Sequence, residues 1–342
     1  MEFAFACVWA AAQVYAVLDW GALIVAAALP ARATDFGRAA VGTAGSEFLL
    51  MDTSARGIAM GGAMTTLAND ASAIYWNPAG LSSIPRLSAT FLHSRYVADI
   101  SYSVLAVAQR INDASVIGAG VRYLDGGGID RTDINGLNAG TFNPRSYVAE
   151  LGWGQAIYDL SDSEMDLAMG VTAKAIRTDL GAGIANGYAG DLGVLSRFYT
   201  SAQSYDVGVA FQNMGVGQRF DKVRDNMPAR MRFGGAFHPI KPVSLSAEVI
   251  APINDAPHGA IGAEYATELD RTIKAAVRTG FNTLTYDSLG VVSCFSFGLG
   301  LSVSDLSFDY AFVPMGVLGG QTHRVSLSFN LPAKISRRYR ER

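Results

Sequence analysis

Asp166-Leu-Ala-Met-Gly-Val-Thr-Ala-Lys-Ala-Ile-Arg-Thr178 decides how this chain folds. Leu167, Met169, Val171, Ala173 and Ala175 fall on one parity; Asp166, Gly170, Thr172 and Lys174 fall on the other. Side chains of an extended strand point alternately to its two faces, so the stretch has one apolar and one polar face. Tyr147–Tyr158 repeats the pattern, with Tyr147, Leu151, Trp153 and Ile157 on the apolar side. Val291–Leu301 sets Phe295, Phe297, Leu299 and Leu301 against Cys294, Ser296, Gly298 and Gly300. Leu306, Phe308, Tyr310 and Phe312 oppose Asp305, Ser307 and Asp309, and Val325, Leu327 and Phe329 oppose Arg324, Ser326 and Ser328.

Splitting the chain at its turn signals yields fourteen such segments: 87–96, 99–110, 114–124, 145–157, 164–179, 186–199, 203–212, 229–238, 241–252, 257–268, 272–282, 291–302, 304–314 and 320–331. Most are longer than the ~5–6 residues of soluble strands and suit tilted spans of a bilayer. The links alternate as well. Those at 125–144, 213–228, 283–290 and 315–319 are long, whereas Asn112-Asp113, 238–241 and 302–304 are short, the first link (Val97-Ala98) being the exception. Short turns on one side, long loops on the other and an even strand number describe an outer-membrane barrel. A soluble β-sandwich or solenoid explains the alternation but neither the strand length nor the asymmetry.

Composition agrees. Half of the 342 residues are apolar and 17% are charged, against about a quarter charged in soluble domains. Such a chain is too apolar for intrinsic disorder. Its net charge of −3 supplies no basic excess for nucleic acid. The polar parity carries a balanced charged wall facing the lumen: Glu150, Asp166, Asp191, Asp206, Glu248, Glu264, Asp305 and Asp309 against Arg122, Lys174, Arg197, Arg230, Arg232, Lys274, Arg278 and Arg324. Eight against eight reads as a hydrated, salt-bridged lining, not an ion-selective ring.

Two apolar runs, Phe3–Leu18 and Gly21–Leu29, open the chain and lead to Ala31-Arg-Ala33, an A-x-A cleavage pattern. Residues 1–33 read as an export signal, with Glu2 where a basic residue is usual. Cys7 is lost with the signal, which leaves Cys294 alone. The four histidines have no ligand spacing, and no nucleophile–base pair or phosphate loop is present; no catalytic, cofactor or metal site is expected. After the last strand, 332–342 is a basic tail expected in the periplasm.

Between Thr34 and Arg86 the period changes to small residues and short helical stretches, with Asp70 as N-cap of a helix through Trp76 and Pro78 ending it. About fifty compact residues ahead of a barrel suit a plug inside it. The string Ala55-Arg-Gly-Ile-Ala-Met-Gly-Gly-Ala63, then Ala68-Asn-Asp-Ala-Ser-Ala-Ile-Tyr-Trp-Asn-Pro-Ala-Gly-Leu81, closely resembles the opening of PorV/PorQ family proteins, relatives of FadL-type (OmpP1/FadL/TodX) outer-membrane barrels. The ending, Phe308-Asp-Tyr-Ala-Phe-Val-Pro-Met-Gly316 through Thr322-His-Arg-Val-Ser-Leu-Ser-Phe329, is similar to that family's last hairpin.

The resemblance implies a fourteen-stranded barrel with an N-terminal hatch at 34–86 and a barrel at 87–331. Trp76, Asn77, Pro78, Ala79 and Gly80 would form the hatch motif. It also implies a type 9 secretion partner that meets secretion proteins or exported cargo at the outer loops, Leu124–Arg145 and Gly215–Pro228. The alternative is a FadL-like channel for long-chain fatty acids or other hydrophobic small molecules, which predicts an apolar pocket near the hatch. Outer-membrane lipid is the expected solvent in either case.

Overall fold

The computed structural model describes residues 42, 44–96, 99–159, 165–181, 183–200 and 203–332. The expected export signal, residues 34–41 of the expected hatch and all but the first residue of the basic tail lie outside the described residues.

Among the described residues sixteen strands follow in chain order: β1 (Leu87–Arg95), β2 (Ser101–Arg110), β3 (Ser115–Asp125), β4 (Ile129–Thr132), β5 (Asn138–Phe142), β6 (Arg145–Asp159), β7 (Met165–Asp179) and β8 (Ile184–Tyr199). They continue with β9 (Ser204–Val216), β10 (Arg230–Ile240), β11 (Val243–Pro252), β12 (His258–Glu268), β13 (Ile273–Asn282), β14 (Phe295–Val303), β15 (Leu306–Pro314) and β16 (Gln321–Leu331). All but β4 and β5 pair antiparallel with their neighbours, and β16 returns to β1, closing a fourteen-strand barrel. Closure leaves no unpaired edge, the condition for a sheet in lipid. β4 and β5 form a separate hairpin in the long link between β3 and β6.

Alternation assigns the two faces. Along β7, Met169, Val171, Ala173 and Ala175 are exposed while Gly170, Thr172 and Lys174 are buried; Phe295, Phe297, Leu299 and Leu301 are exposed on β14. Two strand limits differ by more than two residues from those expected. Val291–Cys294 is a 3-10 turn after Gly290 at φ 84°, so β14 begins only at Phe295. β9 runs on past Gln212 to Val216, because a bulge absorbs Asn213 in the left-handed region (φ 59°) without ending the ladder.

The described residues from 44 to 86 pack against the inward face of the strands. They comprise a 3-10 turn (Glu47–Leu50), α1 (Ala55–Ala59), α2 (Ala73–Trp76) and a second 3-10 turn (Pro78–Ser83). Ser54 caps α1, its Oγ accepting from the Gly57 amide at 3.2 Å. Gly61 and Gly62, at φ 66° and 83°, end it. α2 is shorter than expected: Asp70 Oδ1 accepts from both the amide and hydroxyl of Ser72, which spends residues 70–72 on a turn. The segment starts at the long-loop end, where Ala44 bridges to Asn226. It leaves at the short-turn end, where Arg110 Nε donates to the Ile84 carbonyl at 2.9 Å.

Candidate functional site

Tyr75-Trp76-Asn77-Pro78 lies at the centre of the barrel, wholly buried. Asn77 fixes the motif. Its Oδ1 accepts from the Ala79 amide at 3.1 Å, and its Nδ2 donates to the carbonyls of Thr65 (2.9 Å) and Val194 on β8 (3.1 Å). Pro78 starts the following 3-10 turn, which needs no donor from it. Ala79 packs with Ala168 and Leu195. Gly80 approaches the Ala68 carbonyl so closely that a Cβ there would lie 2.3 Å from its oxygen. On the wall, Gly170 and Gly193 leave the space that this turn fills: a Cβ would stand 2.2 Å from the Pro78 carbonyl carbon and 1.9 Å from Asn77 Oδ1.

Three wall arginines grip the two aromatic rings. Arg122 and Arg230 lie 5.2 and 5.7 Å from the Tyr75 ring centroid, and Arg232 lies 5.0 Å from that of Trp76. Desolvated cation–π contacts of this kind contribute up to about 2 kcal/mol each. Tyr75 also accepts from Arg230 Nη2 at 2.8 Å and donates to the Leu50 carbonyl at 2.9 Å. Trp76 Nε1 donates to Ser54 Oγ at 3.3 Å.

The wall charges form a chain around the lumen. Arg122 pairs with Glu150 (2.6 Å), Lys174 with Asp191 (2.7 Å), and Lys174 stands 3.9 Å from Glu150. Arg232 pairs with Glu248, whose other oxygen accepts from the Thr65 amide at 3.1 Å. Arg278 bridges Glu264 (2.5 Å) and Asp309 (2.7 Å), and Arg56 of α1 reaches the same Glu264 at 2.9 Å. Nearer the short turns, Asp206 lies 3.5 Å from both Arg197 and His238, and Asp166 accepts from Tyr199 at 2.7 Å. Arg324 stacks over Tyr96 at 4.9 Å. Taking ions out of water costs several kcal/mol each, which offsets much of what these pairs gain; among them Arg56–Glu264 joins the inner segment to the wall.

The sequence profile of the PorV family, described as type IX secretion system protein PorV, matches residues 34–250. The chain belongs to the PorV family. No curated protein matches it. Solved structures share its fold at low identity. The Ralstonia pickettii toluene transporter TbuX is 13% identical, with 83% of this chain and 100% of that one covered and a TM-score of 0.53. The Pseudomonas putida toluene transporter TodX is 13% identical, with 81% and 97% covered at 0.50. The monoaromatic hydrocarbon channel CymD is 11% identical, with 82% and 98% covered at 0.51. These FadL-type relatives carry the fold alone. This PorV-family protein is a closed fourteen-strand barrel of the outer membrane.

Two members of the expected charged lining stand apart from the rest in this PorV-family barrel. Lys274 sits at the short-turn end of β13 and pairs at 2.8 Å with Glu268, both more than half exposed, at the mouth of a lumen-side cavity. Asp305 lies in the turn Ser304-Asp305 between β14 and β15; Ser304 at φ 57° reverses the chain, and strand parity ends with it. Sequence reasoning missed Gln212 and Asn213. The bulge turns both side chains inward. Gln212 donates to the Trp76 carbonyl (3.0 Å) and accepts from Arg230 Nε (2.7 Å). Asn213 accepts from Lys174 Nζ at 2.7 Å and donates through Nδ2 to the Pro228 carbonyl at 3.2 Å. Two adjacent amide residues at a strand end were the available signal.

Proposed function

We propose that residues 44–86 act as a plug and that the protein serves type IX secretion as a non-enzymatic, membrane-embedded partner of secretion-system proteins or exported cargo. The observation that carries this reading over a hydrophobic channel is the character of the space left beside the plug. Of two lumen-side cavities at the short-turn end, the larger, about 390 Å³, has Arg56, Asn69, Glu264, Arg278, Asp309 and Asn330 among its walls, and the smaller, about 180 Å³, has Arg110, Asp166 and Arg197. An alkyl or aromatic substrate would leave those polar groups unsolvated, at a cost of kcal/mol each. The larger apolar hollows, about 450 and 880 Å³, lie on the outward face of the strands.

Of the two outer loops, Gly215–Pro228 is engaged with the plug: Gln218 accepts from Ser46 at 2.9 Å, and the Asn226 carbonyl accepts from the Gly45 amide at 2.9 Å. Leu124–Arg145 instead raises the β4–β5 hairpin, with Ile134 fully exposed and Leu137 66% exposed at its tip. Two apolar side chains held in water beyond the barrel favour a protein contact.

The test is purification from outer membranes in mild detergent, with co-purifying proteins and lipids identified by mass spectrometry. The parent chain is expected to retain a secretion-system component or exported cargo. Ile134→Ser/Leu137→Ser should lower that retention about tenfold or more while keeping heat-modifiable gel mobility. A tightly held fatty acid or hydrocarbon beside Trp76, with no protein partner, would establish the channel reading instead.

A further inference from the structure

On the outward face, at the long-loop end of β3, β6, β7 and β8, four side chains stand opposite one another in register: Tyr123, Tyr147, Arg177 and Asn186. Tyr188 lies one pleat nearer the barrel middle, opposite Ala175. All five line one hollow of about 450 Å³, floored by Val121, Ala149 and Ala175.

The charges around it are mostly spent. Tyr123 donates to Asp125 at 2.9 Å, Arg145 stands 3.7 Å from the same carboxylate, and Asp179 accepts from the Gly181 amide at 2.8 Å. Arg177, Tyr147, Asn186 and Tyr188 are exposed and make no side-chain hydrogen bond or ion pair among the described residues. Polar pairs do occur elsewhere on the outward face, His93 with Ser103 and Tyr310 with His323.

Four unspent donors therefore converge on an apolar trough at the level where the bilayer meets water. Tyrosines are at home at that depth, with ring in lipid and hydroxyl in the headgroups. An arginine on the lipid face is tolerated there far better than at the midplane. Its planar fork matches the oxygens of a phosphate bidentately. The long-loop end faces outward in barrels of this kind.

We propose that this hollow binds one phosphorylated lipid of the outer leaflet. The phosphate sits on Arg177, with Asn186 and the hydroxyls of Tyr147 and Tyr188 donating to the headgroup, and an acyl chain lies in the trough over Ala149 and Ala175. The site is independent of the secretion reading, since it uses neither the plug nor the β4–β5 hairpin.

Native mass spectrometry of the detergent-solubilised full chain tests it, with mixed micelles of diphosphorylated lipid A as the probe. A one-to-one adduct is expected. It should weaken about tenfold in Arg177→Gln, the loss of one charge-assisted hydrogen-bonding partner, recover in part in Arg177→Lys, and persist in Arg95→Gln, which removes an exposed arginine of β1 outside the hollow. Dephosphorylated lipid A should bind as poorly to the parent as the phosphorylated form binds to Arg177→Gln. Heat-modifiable mobility checks each variant's fold; should Arg177→Gln fail to fold, Asn186→Ala/Tyr188→Phe takes its place, with a severalfold loss expected. An adduct unchanged in the folded variants, an equal loss in Arg95→Gln, or equal binding of dephosphorylated lipid would overturn the proposal. So would displacement of the lipid by millimolar inorganic phosphate alone, which would make this a free-phosphate site.

Discussion

Gly170 and Gly193 show what single positions do in this barrel. Each stands on the polar parity of its strand, where a glycine reads in sequence as an unremarkable small residue. Their role comes from across the lumen, where the turn at Asn77-Pro78 occupies the volume a Cβ would take. Because the intruding atoms at Gly170 belong to backbone, relaxation must move the turn as a whole. Gly170→Ala is therefore expected to destabilise the protein by about 1–3 kcal/mol, read as a lowered urea midpoint in detergent. Gly259→Ala, whose added methyl meets nothing nearer than 3.8 Å, should leave that midpoint within error. Equal stability of Gly170→Ala and the parent would sink the close-packing argument.

At the level of elements, the strands follow their local pattern and the departures come where distant parts meet. The β9 bulge spends one residue to aim both Gln212 and Asn213 at the inner segment and its wall, a use of bulges that strand periodicity does not announce. The β4–β5 hairpin stands outside the barrel and is held mainly by its own turn. Asp133 Oδ1 accepts from the amides of Asn135 (2.8 Å) and Leu137 (2.9 Å). Those two amides, Leu137 foremost, hold the Asp133 carboxyl below the usual aspartate range. A carboxyl with a depressed pKa lends order above its ordinary pKa and loses it as pH falls through the lowered one. The amide resonances of Asn135 and Leu137 should accordingly titrate below the ~3.9 of a free aspartate, with the turn loosening only there. Asp133→Asn should abolish that titration; a midpoint at or above the free value would contradict the assignment.

Across the whole molecule, stability depends on joining the first strand to the last. β1 and β16 meet in register over eight residues, Leu87 with Leu331 through Ser94 with Arg324. Thr90 and Ser328 are inward-facing partners there, with hydroxyls 3.3 Å apart. Directly opposed strand residues fall within the Cα separation a disulfide accepts. Treated with copper phenanthroline and oxygen, which take up the two electrons and two protons, Thr90→Cys/Ser328→Cys is expected to form an intramolecular disulfide, read without reductant as a heat-denatured band of altered mobility that returns to the parent position on reduction. Among the described residues the one native cysteine, Cys294, is buried. A folded double variant that resists oxidation would mean that the barrel does not close through this pair.

Strand positions, the outward apolar face and the loop asymmetry were legible in the sequence because each depends on backbone alternation and turn chemistry within a dozen residues. Tyr147, Leu151 and Trp153 could be set on one face from spacing alone, and they are exposed together. Which inward residues meet was a different matter. Arg230 reaches Tyr75 across 155 positions, and Arg56 reaches Glu264 across 208. Those meetings depend on the stagger of the strands between them and on the path of the inner segment through the lumen. Parity said that Glu264, Arg278 and Asp309 share a face; the register of β12 through β15 joined them through Arg278, and the path of the inner segment brought Arg56 to the same carboxylate. Local geometry made this chain a barrel with its apolar side outward. The tertiary structure filled the lumen and decided which charges hold its contents, because that depends on distances between strands that no local pattern encodes.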